Sequence, residues 1–301
     1  MTEISVILAT FHSDYKRIVE TVDSILKQKN ISFEIIISED SEDNGYYDDL
    51  KKYFDSVSFY DYFFVTNHVN QGTVKNILQA TEYTHGKYVK LISPGDMLIS
   101  DFALFKMYRY LEENGALLAF VDMQCYKVFN NEIVYLSKRI PFSYSPYRNG
   151  KKERIARTYI IYNDWISGAS EIYERNCLIK YLDIISNKVV LCEDAIALLM
   201  FLDDQKWVHI GEKLVLYEYG VGVSTVPSDN NHAKLANDTI NLCKIISERY
   251  PEYKRIVHRR ERDSILCANN QKSICRTIKR FLLMPDYALF KIYKTISEYF
   301  I

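Results

Sequence analysis

The chain has 301 residues, 48% of them hydrophobic and 26% charged, an ordinary globular composition with length for one large domain plus an appendage, or for two domains. Its net charge of −1 gives no general reason to expect nucleic acid as a partner. That near-neutrality hides an asymmetry. From Lys244 to the end there are thirteen Lys/Arg against six Asp/Glu, or +7, and the remainder carries 25 against 33, or −8. A basic tail on an acidic body points to an anionic surface such as a membrane. Met1-Thr2-Glu3 is not the basic start of a signal peptide, and no apolar run approaches the ~18 residues that cross a bilayer. The six cysteines (Cys125, Cys177, Cys192, Cys243, Cys267, Cys275) show no metal-ligand spacing. They read as reduced, buried thiols of a cytoplasmic protein.

Ile4–Ala9 is a short β-branched apolar run, as expected of a strand buried on both faces. Asp14 is placed to cap a helix that carries Ile18, Val19, Val22, Ile25 and Leu26 on one side. Further strands are predicted at Phe33–Ile37, Tyr62–Thr66, Tyr88–Ile92 and Leu117–Val121, with helices at Thr73–Tyr83 and near Phe102–Glu112. This alternation predicts an α/β fold with a mostly parallel central sheet flanked by helices. Ligands of such sheets sit outside the carboxyl ends of the strands, so the loops after Ala9, Ser38, Thr66 and Ile92 should line one site. Lys138–Arg157 reads as a long polar loop, followed by a helix at Glu193–Leu202 and strands at Trp207–Ile210 and Leu214–Tyr219. Helices are then expected over Asn231–Arg249, Glu252–Cys267 and from Ser273 to the end. The expected division is 1–228 (with halves 1–122 and 123–228) and a helical extension over 229–301.

Four groups of residues at strand or helix ends suggest chemistry. Thr10-Phe11-His12 and Glu39-Asp40 follow the first two strands. A ring and a carboxylate side by side suit a nucleobase, although an acidic turn is the commoner outcome. Gly72-Thr-Val-Lys75-Asn76 opens a helix, where backbone N–H groups and a lysine favour phosphate. Ser93-Pro94-Gly95-Asp96 ends the fourth strand, and Asp96 is placed to hold Mg²⁺ or Mn²⁺ against a diphosphate, or simply to form a turn. Glu193-Asp194 opens a helix, where the dipole favours an ionised carboxylate able to act as a base.

The order and spacing of these groups resemble inverting glycosyltransferases of family 2, of the GT-A fold, a large bacterial group that builds surface polysaccharides. The matching stretches are Ile4–Phe11 (ISVILATF), Phe33–Gly45 (FEIIISEDSEDNG), Asn67–Asn76 (NHVNQGTVKN), Gly86–Leu98 (GKYVKLISPGDML), Trp165–Ser170 (WISGAS), Glu193-Asp194 and Tyr217–Ser224 (YEYGVGVS). The resemblance covers about residues 4–225. It implies a UDP-sugar donor, with Thr10 and Phe11 framing the base, Glu39 and Asp40 at the uracil, and Lys75 and Asn76 near the diphosphate. Ser93 and Gly95 would lie beside the donor, with Asp96 on the metal. Asp194, next to Glu193, would take the proton of a glycan acceptor, lipid-linked or protein-linked, in a transfer with inversion. The family usually has an Asp-x-Asp-Asp pattern after its fourth strand. Here Ser93 and Gly95 stand in two of those places, so a dication would rely on the diphosphate and water, and its affinity without donor should be low. His12 also departs from the family's usual Asn.

Two other readings stay open on the residues alone. One is a nucleotide-sugar-binding partner subunit without turnover, suggested by the thin metal motif. The other is a different nucleotide enzyme, for which the chain lacks a P-loop or GxGxxG. In the tail, Ile274, Ile278, Phe281, Leu282, Leu289, Ile292, Tyr293, Ile296 and Phe300 alternate with Arg276, Lys279, Arg280, Lys291 and Lys294, and Pro285 divides two amphipathic pieces. They are suited to peripheral attachment at the inner face of a membrane, or to packing on the catalytic domain or a second copy.

Overall fold

The computed structural model describes residues 2–42, 44–130, 132–148, 150–222, 229–268 and 274–299. Its first half runs β1 (Ile4–Thr10), α1 (Tyr15–Leu26), β2 (Phe33–Glu39), α2 (Tyr47–Ser56), β3 (Tyr62–Thr66), α3 (Thr73–Ala80), β4 (Tyr88–Ile92), β5 (Met97–Leu98) and α4 (Ala103–Asn114). Then come β6 (Leu118–Phe129), β7 (Glu132–Tyr135), α5 (Ser145–Arg148), α6 (Lys152–Arg157), β8 (Glu171–Glu174), α7 (Arg175–Ile185), α8 (Ala195–Leu202) and β9 (Trp207–Glu218). Four helices follow: α9 (Asp229–Arg249), α10 (Lys254–Ala268), α11 (Ile274–Leu283) and α12 (Pro285–Tyr299).

One sheet has the order β3-β2-β1-β4-β8-β6-β9-β5, with β7 added to β6. The β3-β2-β1-β4 portion is parallel, and Thr10 lies opposite Glu39, which lies opposite Thr66. Their carboxyl ends therefore meet at one edge, as the strand-helix rhythm predicts. Alternation along β1 divides its side chains between two cores. Ile4, Val6 and Leu8 pack with α1, α2 and α4, while Ile7 packs toward α3, α7 and α8. Helix α1 starts where Asp14 accepts a hydrogen bond from Arg17 N at 3.3 Å, and its Ile18, Val22 and Ile25 are buried. Helix α8 is apolar and buried at every position, which places it inside the molecule rather than on it.

The structure departs from the sequence-based expectations beyond β4. Strand β8 intervenes between β4 and β6 and is antiparallel to both. Its four residues, EIYE, carry charges at both ends and gave no strand signal. The fifth strand extends to Phe129, and the two strands expected over 207–219 are one, paired with β6 through register shifts around Asp122. Gly211 there marks an irregularity rather than a turn. The loop expected over Lys138–Arg157 contains α5 and α6, and continues into a π-turn at Thr158–Tyr162. Helices α2 and α7 were not expected either.

The α3-side core extends into α9 and α10 through Leu242, Ile246, Tyr250 and Val257. Helices α11 and α12 join the body through ion pairs and through Phe290, which stacks on Tyr162 and meets Phe142 edge-on. Asp286 meets Arg157 at 2.8 Å and Arg259 at 3.2 Å, and Asp263 meets Arg280 at 2.6 Å. Pro285 opens α12 as expected. No helix among the described residues is long and apolar enough to cross a membrane. Cys125, Cys177, Cys192 and Cys243 are free thiols. The side chains of Ile274, Cys267, Cys275 and Arg276, and residues Val223, Ser224 and Phe300, lie outside the described set.

Ile7 is fully buried at the centre of the parallel portion. Ile7→Ala should lower stability by roughly 2–5 kcal/mol. In urea the unfolding midpoint should fall with the denaturant slope unchanged.

Candidate active site

At the edge formed by the ends of β1, β2 and β4, most of the expected site residues have definite partners. Phe11 is 47% exposed and its ring meets His12 edge-on at 4.4 Å. It is free on its outer side to stack on a planar ligand. Thr10 is buried, and its hydroxyl hydrogen-bonds that of Tyr46 at 2.8 Å. Glu39 is fully buried and accepts from His12 N at 3.3 Å, Ser41 Oγ at 2.7 Å and Tyr46 Oη at 3.2 Å. It thereby sets the loop that carries Phe11.

Asp40 has another task. Its carboxylate accepts from Asn67 Nδ2 at 3.0 Å, Gln71 N at 2.9 Å and Gly72 N at 2.7 Å. Asn76 is buried and is also structural: its Oδ1 accepts from Ser38 Oγ at 2.6 Å and its Nδ2 donates to Ser38 O at 3.1 Å. Together they fold the 67–72 loop onto β2 and aim the start of α3. Asn76, expected on the donor side, is bonded to Ser38 of β2, and Lys75 one residue earlier is exposed.

The loop then reaches across the molecule. Gly72 has φ +87°, and a Cβ there would overlap Val190, coming within 2.7 Å of its carbonyl oxygen. Val74 N donates to that same oxygen at 3.1 Å. Asp238, on α9, accepts from Val190 N at 2.9 Å, Leu191 N at 2.7 Å and Cys192 N at 3.2 Å. Sequence reasoning missed Asp238, since an Asp inside a helix pattern carries no signal of what lies across from it.

Glu193 and Asp194 follow directly, at the start of the buried helix α8. The dipole argument expected an ionised carboxylate here. The balance goes the other way. Burial raises both carboxyls, Asp194 well above its ordinary range, and the neighbouring Glu193 and Asp238 charges raise Asp194 further. Gly168, in the Trp165–Ser170 stretch, lies so close that a Cβ would stand 2.7 Å from Glu193 Oε1. Glu193-Asp194 and the expected acceptor loop are therefore in contact. Two further groups beneath them were also missed. Glu171 is fully buried, and burial followed by the Asp194 charge raises its carboxyl well above normal. Lys90 is fully buried in β4, donates to Leu91 O at 2.8 Å and Glu171 O at 3.2 Å, and is lowered by burial to about 8. A lysine within the apolar run YVKLI was the available clue.

The turn after β4 bears on the metal. Asp96 N donates to Ser93 O at 3.0 Å, closing the turn, and Thr21 Oγ bridges Gly95 N and Asp96 O at 2.9 and 2.8 Å. Asp96 is buried, one of its oxygens accepts from Glu218 N at 3.1 Å, and burial pushes its carboxyl up to about 7. Gly95 has φ +97°, and a side chain there would collide with the Glu218 carboxylate and the Arg17 guanidinium. Glu218 itself is paired with Arg17 through Nε at 2.9 Å and through Nη2. Among the described residues no three His, Cys, Asp or Glu side chains converge as a metal cage. On their chemistry these residues do not fit a resident Mg²⁺ or Mn²⁺: the Asp96 carboxyl is buried and raised, and the Glu218 carboxylate is held by Arg17.

Asp238→Ala removes the acceptor of three consecutive N–H groups. It should cost roughly 1–3 kcal/mol, read as a lowered melting temperature. Hydrogen exchange at 190–192 should accelerate, and Asp238→Asn, which keeps one acceptor oxygen, should show a smaller effect.

The comparisons with known proteins bear on the fold and the family. A crystal structure of S. aureus TarS 1-349 in complex with UDP-GlcNAc superposes with a TM-score of 0.61 at 15% identity, covering 96% of this chain and 81% of that one. The same fragment without ligand gives 0.59 at 15% identity, covering 94% and 80%. The mannosyltransferase PcManGT from Pyrobaculum calidifontis, in complex with GDP-Man and Mn²⁺, gives 0.56 at 13% identity, covering 99% and 84%. At such identities the likeness shows the fold. No curated protein matches the chain by sequence. The model of glycosyl transferase family 2 matches residues 5–169, more than half of the chain and all of the strand-end loops from Thr10 to Asp96. The chain belongs to glycosyl transferase family 2.

Proposed function

We propose that the protein transfers a sugar from a UDP-sugar to a hydroxyl of a glycan acceptor, with inversion at the anomeric carbon. The observation that carries this is the contact of Glu193-Asp194 with Gly168, on a loop fixed through Val190 and Gly72 to the Phe11–Glu39–Asp40 corner. A nucleobase stacked on Phe11 would have its diphosphate directed toward the start of α3, where Lys75 is exposed. The UDP-GlcNAc and GDP-Man held by the two structural neighbours support a nucleotide-sugar donor of this kind.

Asp194 takes the proton of the acceptor hydroxyl as its oxygen bonds to the anomeric carbon. The bond from that carbon to the diphosphate oxygen breaks on the opposite face, and the diphosphate leaves with the electron pair. No enzyme nucleophile is required. Because burial raises the Asp194 carboxyl, the base is protonated and inactive at pH values where an exposed aspartate is already ionised. Transfer should rise with pH along a limb above the ordinary carboxylate range, and that limb should report Asp194 and Glu193 together. Stability has the opposite sign: a raised carboxyl favours the folded state as pH falls through its folded pKa.

With a panel of UDP-sugars and glycan acceptors, Asp194→Asn should lower kcat by roughly 10²- to 10⁴-fold with donor affinity retained. Wild-type-like transfer by the variant would remove Asp194 from the base role. Donor binding without turnover on any acceptor would favour the partner-subunit reading.

The acceptor's setting has a specific observation behind it. Helices α11 and α12 leave Ile278, Leu282, Leu289, Ile292 and Ile296 more than half exposed, beside Lys279 and Lys291. An apolar face edged with cations suits an anionic bilayer surface, where a lipid-linked glycan would lie. The chain should co-sediment with vesicles containing anionic lipid and lose this at high salt. Leu282→Glu with Leu289→Glu should abolish it without changing the melting temperature. Unchanged sedimentation would leave the face to a second copy of the chain.

A further inference from the structure

The neighbour that holds GDP-Man also holds Mn²⁺, yet the residues after β4 here do not form a cation cage. What stands in that place is an ion pair, the Glu218 carboxylate with the Arg17 guanidinium beside it. Position 95, where the family pattern has a carboxylate, is a glycine at φ +97°, and the space a side chain would enter is filled by Glu218 and Arg17. Arg17 Nε lies 3.0 Å from where that Cβ would be. Arg17 belongs to the first turn of α1, just after the loop that carries Phe11, so it borders the donor site through its own element as well.

The pair is built into the fold. Glu218 ends β9, with a side chain only 9% exposed, and its backbone N–H binds Asp96. Arg17 is 30% exposed, and places both Nε and Nη2 on a single Glu218 oxygen. A guanidinium presents its N–H groups in a fixed planar fork that matches phosphate oxygens as well as carboxylate. A diphosphate entering this edge meets the carboxylates of Asp96 and Glu218, so a positive charge has to offset it. Lys90 cannot reach out to do so, because it is fully buried and its ammonium is directed at backbone carbonyls.

We propose that Arg17 takes the place of the dication, sharing its guanidinium between Glu218 and the donor's diphosphate, so that this transferase binds and uses its donor without metal. Glu218 holds the guanidinium in position throughout. The inference rests on the nucleotide-sugar reading of the site.

The test is calorimetry on the full chain with UDP and GDP, and with uridine and guanosine, in EDTA and in Mn²⁺. A nucleoside diphosphate should bind in EDTA with an affinity within about threefold of that in Mn²⁺. Arg17→Ala should weaken that nucleotide by roughly ten- to hundredfold while leaving its nucleoside unchanged. Arg17→Lys should retain part of the affinity. Since Arg17→Ala strands a largely buried carboxylate, Glu218→Gln serves as a second variant: it frees Arg17, and should bind the nucleotide in EDTA at least as tightly as wild type. Binding that collapses in EDTA and returns with Mn²⁺ would overturn the proposal, as would wild-type nucleotide affinity in Arg17→Ala or lost affinity in Glu218→Gln. If neither nucleosides nor nucleotides bind in either buffer, the donor reading itself fails and takes this inference with it.

Discussion

The site depends on the contact between Gly72 and Val190. Without a Cβ at 72 the two backbones come close enough for Val74 N to bond the Val190 carbonyl. On one side Asp40 gathers the N–H groups of Gln71 and Gly72, and on the other Asp238 gathers those of residues 190–192. Each carboxylate satisfies donors that the close approach would otherwise leave unpaired. The result is one stiff piece running from the end of β2 to the start of α8. Glu193-Asp194 are thus placed relative to the Phe11–Glu39–Asp40 corner by residues far apart in the chain, one of them on helix α9.

The same edge concentrates acid. Glu39 and Asp40 are surrounded by N–H and hydroxyl donors. Asp96, Glu171, Glu193 and Asp194 are dominated by burial, and their carboxyls are raised. A group of this kind gives up hydration for position, and an added proton or cation settles it. Lys90 answers from inside the sheet and Arg17 from its rim. The transfer proposed above would use both halves of this arrangement: fixed acceptors at the Phe11 corner, and a raised carboxyl where a proton would be taken from a hydroxyl of far higher pKa.

The tail shows a different balance. Helices α11 and α12 are attached through Asp263, Asp286 and their arginine partners and through Phe290 against Phe142 and Tyr162, while other large apolar side chains face outward. Amphipathic spacing foretold both helices and the break at Pro285. It did not tell which stripe would be covered, because the period marks a face without naming what lies opposite.

Much of the first half was legible in the sequence. Runs such as ISVIL and EIIIS bury both faces whatever their neighbours, so β1 and β2 follow from local pattern. Asp14 caps its own helix, and the Pro-Gly turn before Asp96 closes within four residues. By itself the sequence determined the parallel nucleotide-side sheet, its loaded edge and the glycosyl transferase pattern of its motifs. The tertiary structure decided what involves distant partners. It inserted β8 between β4 and β6, bonded Asn76 to β2, brought Asp238 against the 190–192 backbone and filled the space beside Gly95 with Arg17 and Glu218. The physical reason is range: turns, caps and periodicity act over a few residues, whereas burial and charge pairing depend on which distant segments the fold brings together.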